Sequence, residues 1–200
     1  DLEIVLQDPA LSENYLRHFG DFRTNYLLFD TFNPPFDNID VRKAFAHAVD
    51  RESIVTNIYG EVKAMPAYAM LMPGFASSST NGELNEYQNY DCELAKEHLA
   101  TAGYPDGEGF PALELWLRNE NAALQAVYQA VAASITQCLN ISLEISNKDR
   151  KVYTDAMNAK PTGLQLGAVD YGMDYLDPTN MLGIWLFGGR DHVLAELARI

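Results

Sequence analysis

Short apolar strands that alternate with capped amphipathic helices predict an α/β fold, a mixed sheet flanked by helices. Two observations carry that expectation. Segments rich in β-branched, aromatic and leucine residues recur between turn formers, with helical patterns separating them. The composition is that of a globular core, 48% hydrophobic against 21% charged over 200 residues.

Taken in order, Leu2-Glu3-Ile4-Val5-Leu6 alternates like a strand from the second residue, which suggests that the chain is cut from a longer protein. Four further strands are expected at Tyr26 to Phe32, Leu113 to Arg118, Ile141 to Asn147 and Leu164 to Asp170. Asp40 is placed to N-cap a helix whose Val41, Ala44, Phe45, Ala48 and Val49 form one apolar stripe. Asp50 begins a second helix carrying Ile54, Val55 and Ile58, with Gly60 suited to the position just past its end. Asp91 caps a third, which Gly103 stops before Tyr104-Pro105. The longest helix is expected from about Asn121 to Cys138, with Leu124, Val127, Tyr128, Val131 and Ile135 toward the core. Residues 65–90 contain Pro66, Pro73, Gly74, Asn81 and Gly82 and read as one long loop; a loop of that length inside a domain is more often functional than accidental.

Charge narrows the function classes. The chain carries 28 acidic and 14 basic side chains, a formal net charge of −14. A nucleic-acid surface needs clustered lysine and arginine, so nucleic acid is not an expected partner. Adhesion to an anionic membrane face is disfavoured for the same reason. The longest apolar stretch, Ala67 to Met72, is far short of a membrane span. Cys92 and Cys138 are too few for a disulfide scaffold or a zinc site; a single bridge between them is compatible with an oxidising compartment and is left open.

Catalytic and metal signatures are missing from the pattern. His18, His47, His98 and His192 form no His-x-x-x-His or Glu-x-x-His pair, so no metal site is expected. There is no Gly-x-Ser-x-Gly elbow, Walker loop or Gly-x-Gly-x-x-Gly fingerprint. No carboxylate pair stands out as acid and base, so no catalytic residue and no cofactor is assigned, and the chain does not read as an enzyme.

An ordered set of motifs points elsewhere. It begins with Tyr26-Leu27-Leu28-Phe29-Asp30-Thr31, Pro34-Pro35-Phe36-Asp37, Val41-Arg42-Lys43-Ala44-Phe45 and Ala48-Val49-Asp50-Arg51-Glu52. It continues through Pro66-Ala67, Pro73-Gly74, Ala102-Gly103-Tyr104-Pro105-Asp106-Gly107 and Ile141-Ser142-Leu143-Glu144 to Tyr171-Gly172-Met173-Asp174-Tyr175-Leu176-Asp177-Pro178. The set closely resembles the family 5 solute-binding proteins, which include oligopeptide-, dipeptide- and nickel-binding components of ABC importers. The resemblance implies one lobe of a type II periplasmic-binding-protein clamshell. Residues 1–200 would be a single C-terminal ligand-binding lobe, with 65–90 a loop on the pocket side.

The implied function is capture of a peptide or similar small solute by lobe closure and delivery to a membrane permease. The implied partners are that ligand, the missing N-terminal lobe and the ABC permease, and the implied location is extracytoplasmic, in the periplasm or at the cell surface. A solute-sensing lobe of a transcription regulator, or a binder of nickel complexes or oligosaccharides, is the alternative. Asp174, Tyr171, Gly172 and Asp170 are the candidate ligand-binding residues. By the resemblance, Asp174 would take a ligand's α-amino group, for which a carboxylate is suited because a charge-assisted bond is about twice as strong as a neutral one. A turn-capping aspartate is the other reading of the same residue. The sequence departs from the family at Ala168, where some oligopeptide-binding members carry an arginine, and at Asp170, where glycine is common. Asp170 would then add a second negative charge and favour cationic ligands. Asp177 followed by Pro178 reads as a helix N-cap with proline at the first helical position.

Overall fold

The computed structural model describes residues 2–15, 22–60, 63–75, 77–79, 82–120 and 122–186. Two short helices, α1 (Leu2–Gln7) and α2 (Pro9–Tyr15), come first. They correct the strand expected at Leu2 to Leu6. Ile4 and Leu6 are exposed, so the alternation has no apolar face to bury, and no strand of the sheet pairs with it. Leucine, glutamate and glutamine then follow their helical propensity. Asp8 separates the two helices, its Oδ1 accepting from the amide of Ala10 at 2.9 Å.

Strand β1 (Arg23–Phe29) starts and stops three residues earlier than the pattern suggested. Buried Asp30 is the physical reason, since its carboxylate accepts from the amide of Phe32 at 3.1 Å and from Asn33 Nδ2 at 2.7 Å and turns the chain out of the sheet. Helix α3 (Ile39–His47) is capped by Asn38 and not by Asp40, Asn38 Oδ1 accepting from the amide of Asp40 at 2.8 Å. Asp40 lies in the first turn, where it takes Nδ1 of His98 at 2.9 Å.

Helix α4 (Arg51–Ile54) begins at Asp50 as expected and runs on as a π-helical turn, Val55–Tyr59, ended by Gly60 at φ 93°. Helix α5 (Cys92–Thr101) is capped by Asp91 and followed by Gly103 at φ 100°. Then come β2 (Leu113–Arg118), α6 (Ala122–Leu139), β3 (Leu143–Lys148), α7 (Arg150–Asn158), β4 (Leu166–Gly172) and α8 (Pro178–Leu186).

The sheet order is β1-β4-β2-β3. β2 runs parallel to β3 and to β4, while β1 is antiparallel to β4, so the sheet is mixed. One layer packs Leu113, Leu115, Leu117, Leu166 and Ala168 against Phe45, Leu99 and Ile135 of α3, α5 and α6. The other packs Leu28 and Val169 against Tyr153 and Met157 of α7. Apolar side chains on both faces leave β4 buried from Leu166 to Val169. Phe29, Phe36 and Phe45 form an aromatic knot at the heart of the first layer, with ring centroids 4.5, 5.7 and 5.1 Å apart.

Cys92 and Cys138 form a disulfide that ties the start of α5 to the end of α6 across 46 residues. Closing a loop of that length removes entropy from the denatured state and so stabilises the fold by about 2–4 kcal/mol. The C92S/C138S double variant is therefore expected to unfold at lower urea, with the stability reduced by about that amount. An unchanged midpoint in non-reducing buffer would mean that the bridge contributes nothing.

The described residues of 63–75, 77–79 and 82–91 cross the surface with a single 3-10 turn at Asn85–Tyr87 and are fastened by side chains of α4 and β1. Arg51 donates through Nη1 to the carbonyls of Ala46 and Val49, each at 3.1 Å, and to Gln88 O, and through Nη2 to Gln88 Oε1. Its guanidinium also lies 5.8 Å from the ring centre of Tyr68. Burial holds the Arg51 pKa down to about 10, so the residue remains charged at neutral pH. The Tyr68 hydroxyl donates to Glu52 Oε1 at 2.9 Å. Farther along, Met70 O accepts from Thr24 Oγ1 at 3.1 Å, and the ring of Phe75 meets Phe22 at 5.4 Å. The segment thus reaches the start of β1, next to the end of β4.

Candidate functional site

The carboxyl ends of parallel strands are where open α/β sheets bind ligands, because the chain turns outward there and leaves a crevice. In this sheet that edge gathers the ends of β2, β3 and β4 with the start of antiparallel β1, as the pairing of Arg23 with Gly172 shows. All four candidate residues lie on it: Asp170, Tyr171 and Gly172 close β4, and Asp174 follows two residues later.

Asp174 is exposed and held from behind. Its amide donates to Asn180 Oδ1 at 2.9 Å, and the Tyr171 hydroxyl donates to Asp174 Oδ2 at 3.1 Å. Asn180 Oδ1 also lies 3.3 Å from that hydroxyl, and Asn180 is itself buried in α8. The helix is placed by Asp177, whose Oδ1 accepts from the amide of Thr179 at 2.8 Å with Pro178 at the first helical position, as the sequence suggested. Asn180 therefore fixes the turn that presents the Asp174 carboxylate. Sequence reasoning missed it, although an asparagine one turn into a helix beside a turn motif was the available signal.

Asp170 behaves differently from its expected part as a second negative charge. Its Oδ1 accepts from Arg118 Nη2 at 2.7 Å and its Oδ2 is paired with Arg23 Nη1. The charge is compensated within the chain by two guanidiniums, so it gives no argument for a cationic ligand. Neither arginine was singled out from the sequence. Gly172 has a steric role beside them, for a Cβ there would lie 3.0 Å from Arg23 Nη2. Ala168 is fully buried in the core and offers no group to a solute.

Glu120 completes the edge. Its amide donates to Asn147 Oδ1 at 3.1 Å, which joins the chain just past β2 to β3. Burial, and secondarily the Asp170 charge, raise its carboxyl above the usual range, opposed by Arg118 and Arg150. Beside Asp174, Tyr175 and Leu176 are exposed apolar side chains. The edge thus offers an exposed carboxylate, an exposed aromatic and an arginine pair already bridged by a carboxylate. Those groups are suited to holding a polar solute. His47 and His98 lie away from it and stack with ring centres 6.0 Å apart between α3 and α5. His18 and His192 lie outside the described residues.

Solved structures share the fold, which is that of the periplasmic binding proteins. The murein tripeptide binding protein MppA in its unliganded open form superposes with a TM-score of 0.76 at 21% identity, over 96% of this chain and 36% of that one. A periplasmic oligopeptide-binding protein from Borrelia burgdorferi gives 0.73 at 24% identity, over 86% of this chain and 33% of that one. The chain belongs to the bacterial extracellular solute-binding proteins, family 5 (Middle), whose model matches residues 1–192.

Among curated relatives, the oligopeptide-binding protein OppA of Bacillus subtilis is 29% identical over 161 residues, 78% of this chain and 29% of its own length. The heme-binding protein A of Haemophilus influenzae is 42% identical over 107 residues, 54% of this chain and 18% of its own length. The chain spans less than a third of the length of either relative.

Proposed function

We propose that this chain forms most of the C-terminal lobe of a longer, two-lobed solute-binding protein that serves an ABC importer, and that its cargo is a peptide. The reading rests chiefly on the exposed Asp174 carboxylate, presented at the carboxyl edge of the sheet by Tyr171 and buried Asn180. The relatives named for oligopeptides, dipeptides and glutathione support a peptidic cargo. In this reading Asp174 takes the peptide's α-amino group, Tyr171 and Gly172 line the adjacent wall, and the second lobe closes over the ligand. Contacts made only in the closed state shift the equilibrium toward it, and the closed form is the one delivered to the permease. The protein binds and releases its cargo unchanged, outside the cytoplasm.

One lobe supplies only part of the ligand's contacts. The isolated chain is therefore expected to bind peptides weakly, and sub-micromolar affinity measured by calorimetry on it would contradict the two-lobed account. For the intact protein, mass spectrometry of the solute that co-purifies is expected to find peptides. The heme-binding relative makes the counter-result concrete: a stoichiometric porphyrin in place of peptide would overturn the cargo assignment.

A further inference from the structure

The arginine pair around Asp170 has a geometry that bears on which peptides the site accepts. Arg118 ends β2, Asp170 lies near the end of β4, and Arg23 opens β1, so three strands bring one carboxylate and two guanidiniums together at the edge that carries Asp174. Each carboxylate oxygen of Asp170 faces a different arginine. The carboxylate fills a two-arginine socket, the arrangement that otherwise captures a carboxylate from solution. The group is reachable, with 44% of the Arg23 side chain exposed and 15% of both Arg118 and Asp170. Gly172 leaves the space in which the Arg23 guanidinium lies.

We infer that Asp170 is a specificity-determining residue: it gives Arg23 and Arg118 an internal carboxylate in place of a ligand's, so the site accepts peptides without reading a free C-terminal carboxylate. This rests on the peptide-binding reading above. One physical effect supports it. An incoming carboxylate must compete with one that is covalently tethered and therefore present at high effective concentration. A peptide end that is amidated, or that continues into a longer chain, meets no such competition. The solute class is thus a peptide read from its amino end, with acid and amide forms taken alike.

The test uses the intact protein and a tetrapeptide library with free amino termini, half as C-terminal acids and half as C-terminal amides, with captured peptides counted by mass spectrometry. The wild type is expected to capture the two forms in nearly equal amounts. Asp170→Asn removes the internal anion and is expected to favour the acids by about tenfold or more, the scale of a hydrogen bond to a charged group. Adding Arg118→Gln to that variant should return the ratio toward one. Asp170→Ser takes its place if Asp170→Asn does not fold. A wild type that already favours acids tenfold overturns the inference, as does an Asp170 variant that treats both forms alike. A wild type that captures neither form overturns the peptide reading itself, a result distinct from the other two.

Discussion

Truncating Phe45 to alanine is expected to lower the unfolding free energy by about 3–5 kcal/mol, the usual cost of emptying a buried aromatic position. Phe45 lies 5.7 Å from the Phe29 ring, 5.1 Å from Phe36 and 6.0 Å from Phe110, and is 1% exposed. It joins α3 to the sheet through Phe29 and to the turn after α5 through Phe110, so surrounding atoms on three sides would have to move to fill the void. With domain stabilities of about 5–15 kcal/mol, such a loss leaves the fold near its limit. Phe45→Leu keeps most of the volume and should cost less. Urea unfolding followed by circular dichroism measures both, and an alanine variant within about 1 kcal/mol of wild type would show that the aromatic knot is not where the core is held.

The second large effect is on ligand. In the intact protein Asp174→Asn is expected to weaken peptide binding by about 10–100-fold, since it removes the charge from a charge-assisted hydrogen bond while keeping the side chain's shape. Stability should change by no more than about 0.5 kcal/mol, because Asp174 is exposed and asparagine retains an oxygen for the Tyr171 hydroxyl. That separation of binding from folding distinguishes a ligand contact from a turn cap. A variant that binds normally but unfolds early would assign Asp174 to the turn alone. Asn180→Ala is the natural companion, because it leaves the carboxylate charge in place and loosens only the turn that aims it.

What could be read from the sequence follows from how local each feature is. Helices α4, α5 and α6 were legible almost to the residue, because the caps at Asp50 and Asp91 and the long apolar stripe of α6 are set by neighbours a few positions away. Helix α7 went unseen because Tyr153 and Met157 are its only buried residues, too short a stripe to register as a period. Strand ends were displaced by two or three residues where a tertiary or side-chain bond decides them, as the Asp30 carboxylate does at the end of β1. The strand misread at Leu2 to Leu6 shows that alternation alone does not make a strand; a partner and a core face are also needed.

The site divides along the same line. Tyr171, Gly172 and Asp174 lie in one short motif, so their grouping was visible before any fold was known. The meaning of Asp170 was not, because its partners are 52 and 147 residues away in sequence and only the sheet brings them together. A carboxylate that looked like added negative charge is in fact the centre of a compensated pair. The disulfide was open on sequence for a similar reason, since the proximity of Cys92 and Cys138 depends on how α5 packs against α6.

The central claim is that the carboxyl edge of this sheet holds the amino end of a peptide through Asp174. Calorimetric titration of the intact protein with one peptide in free-amino and N-acetylated forms tests it most directly. The account predicts that acetylation weakens binding by about tenfold or more, the worth of a hydrogen bond to a charged group. Equal affinity for the two forms would contradict it.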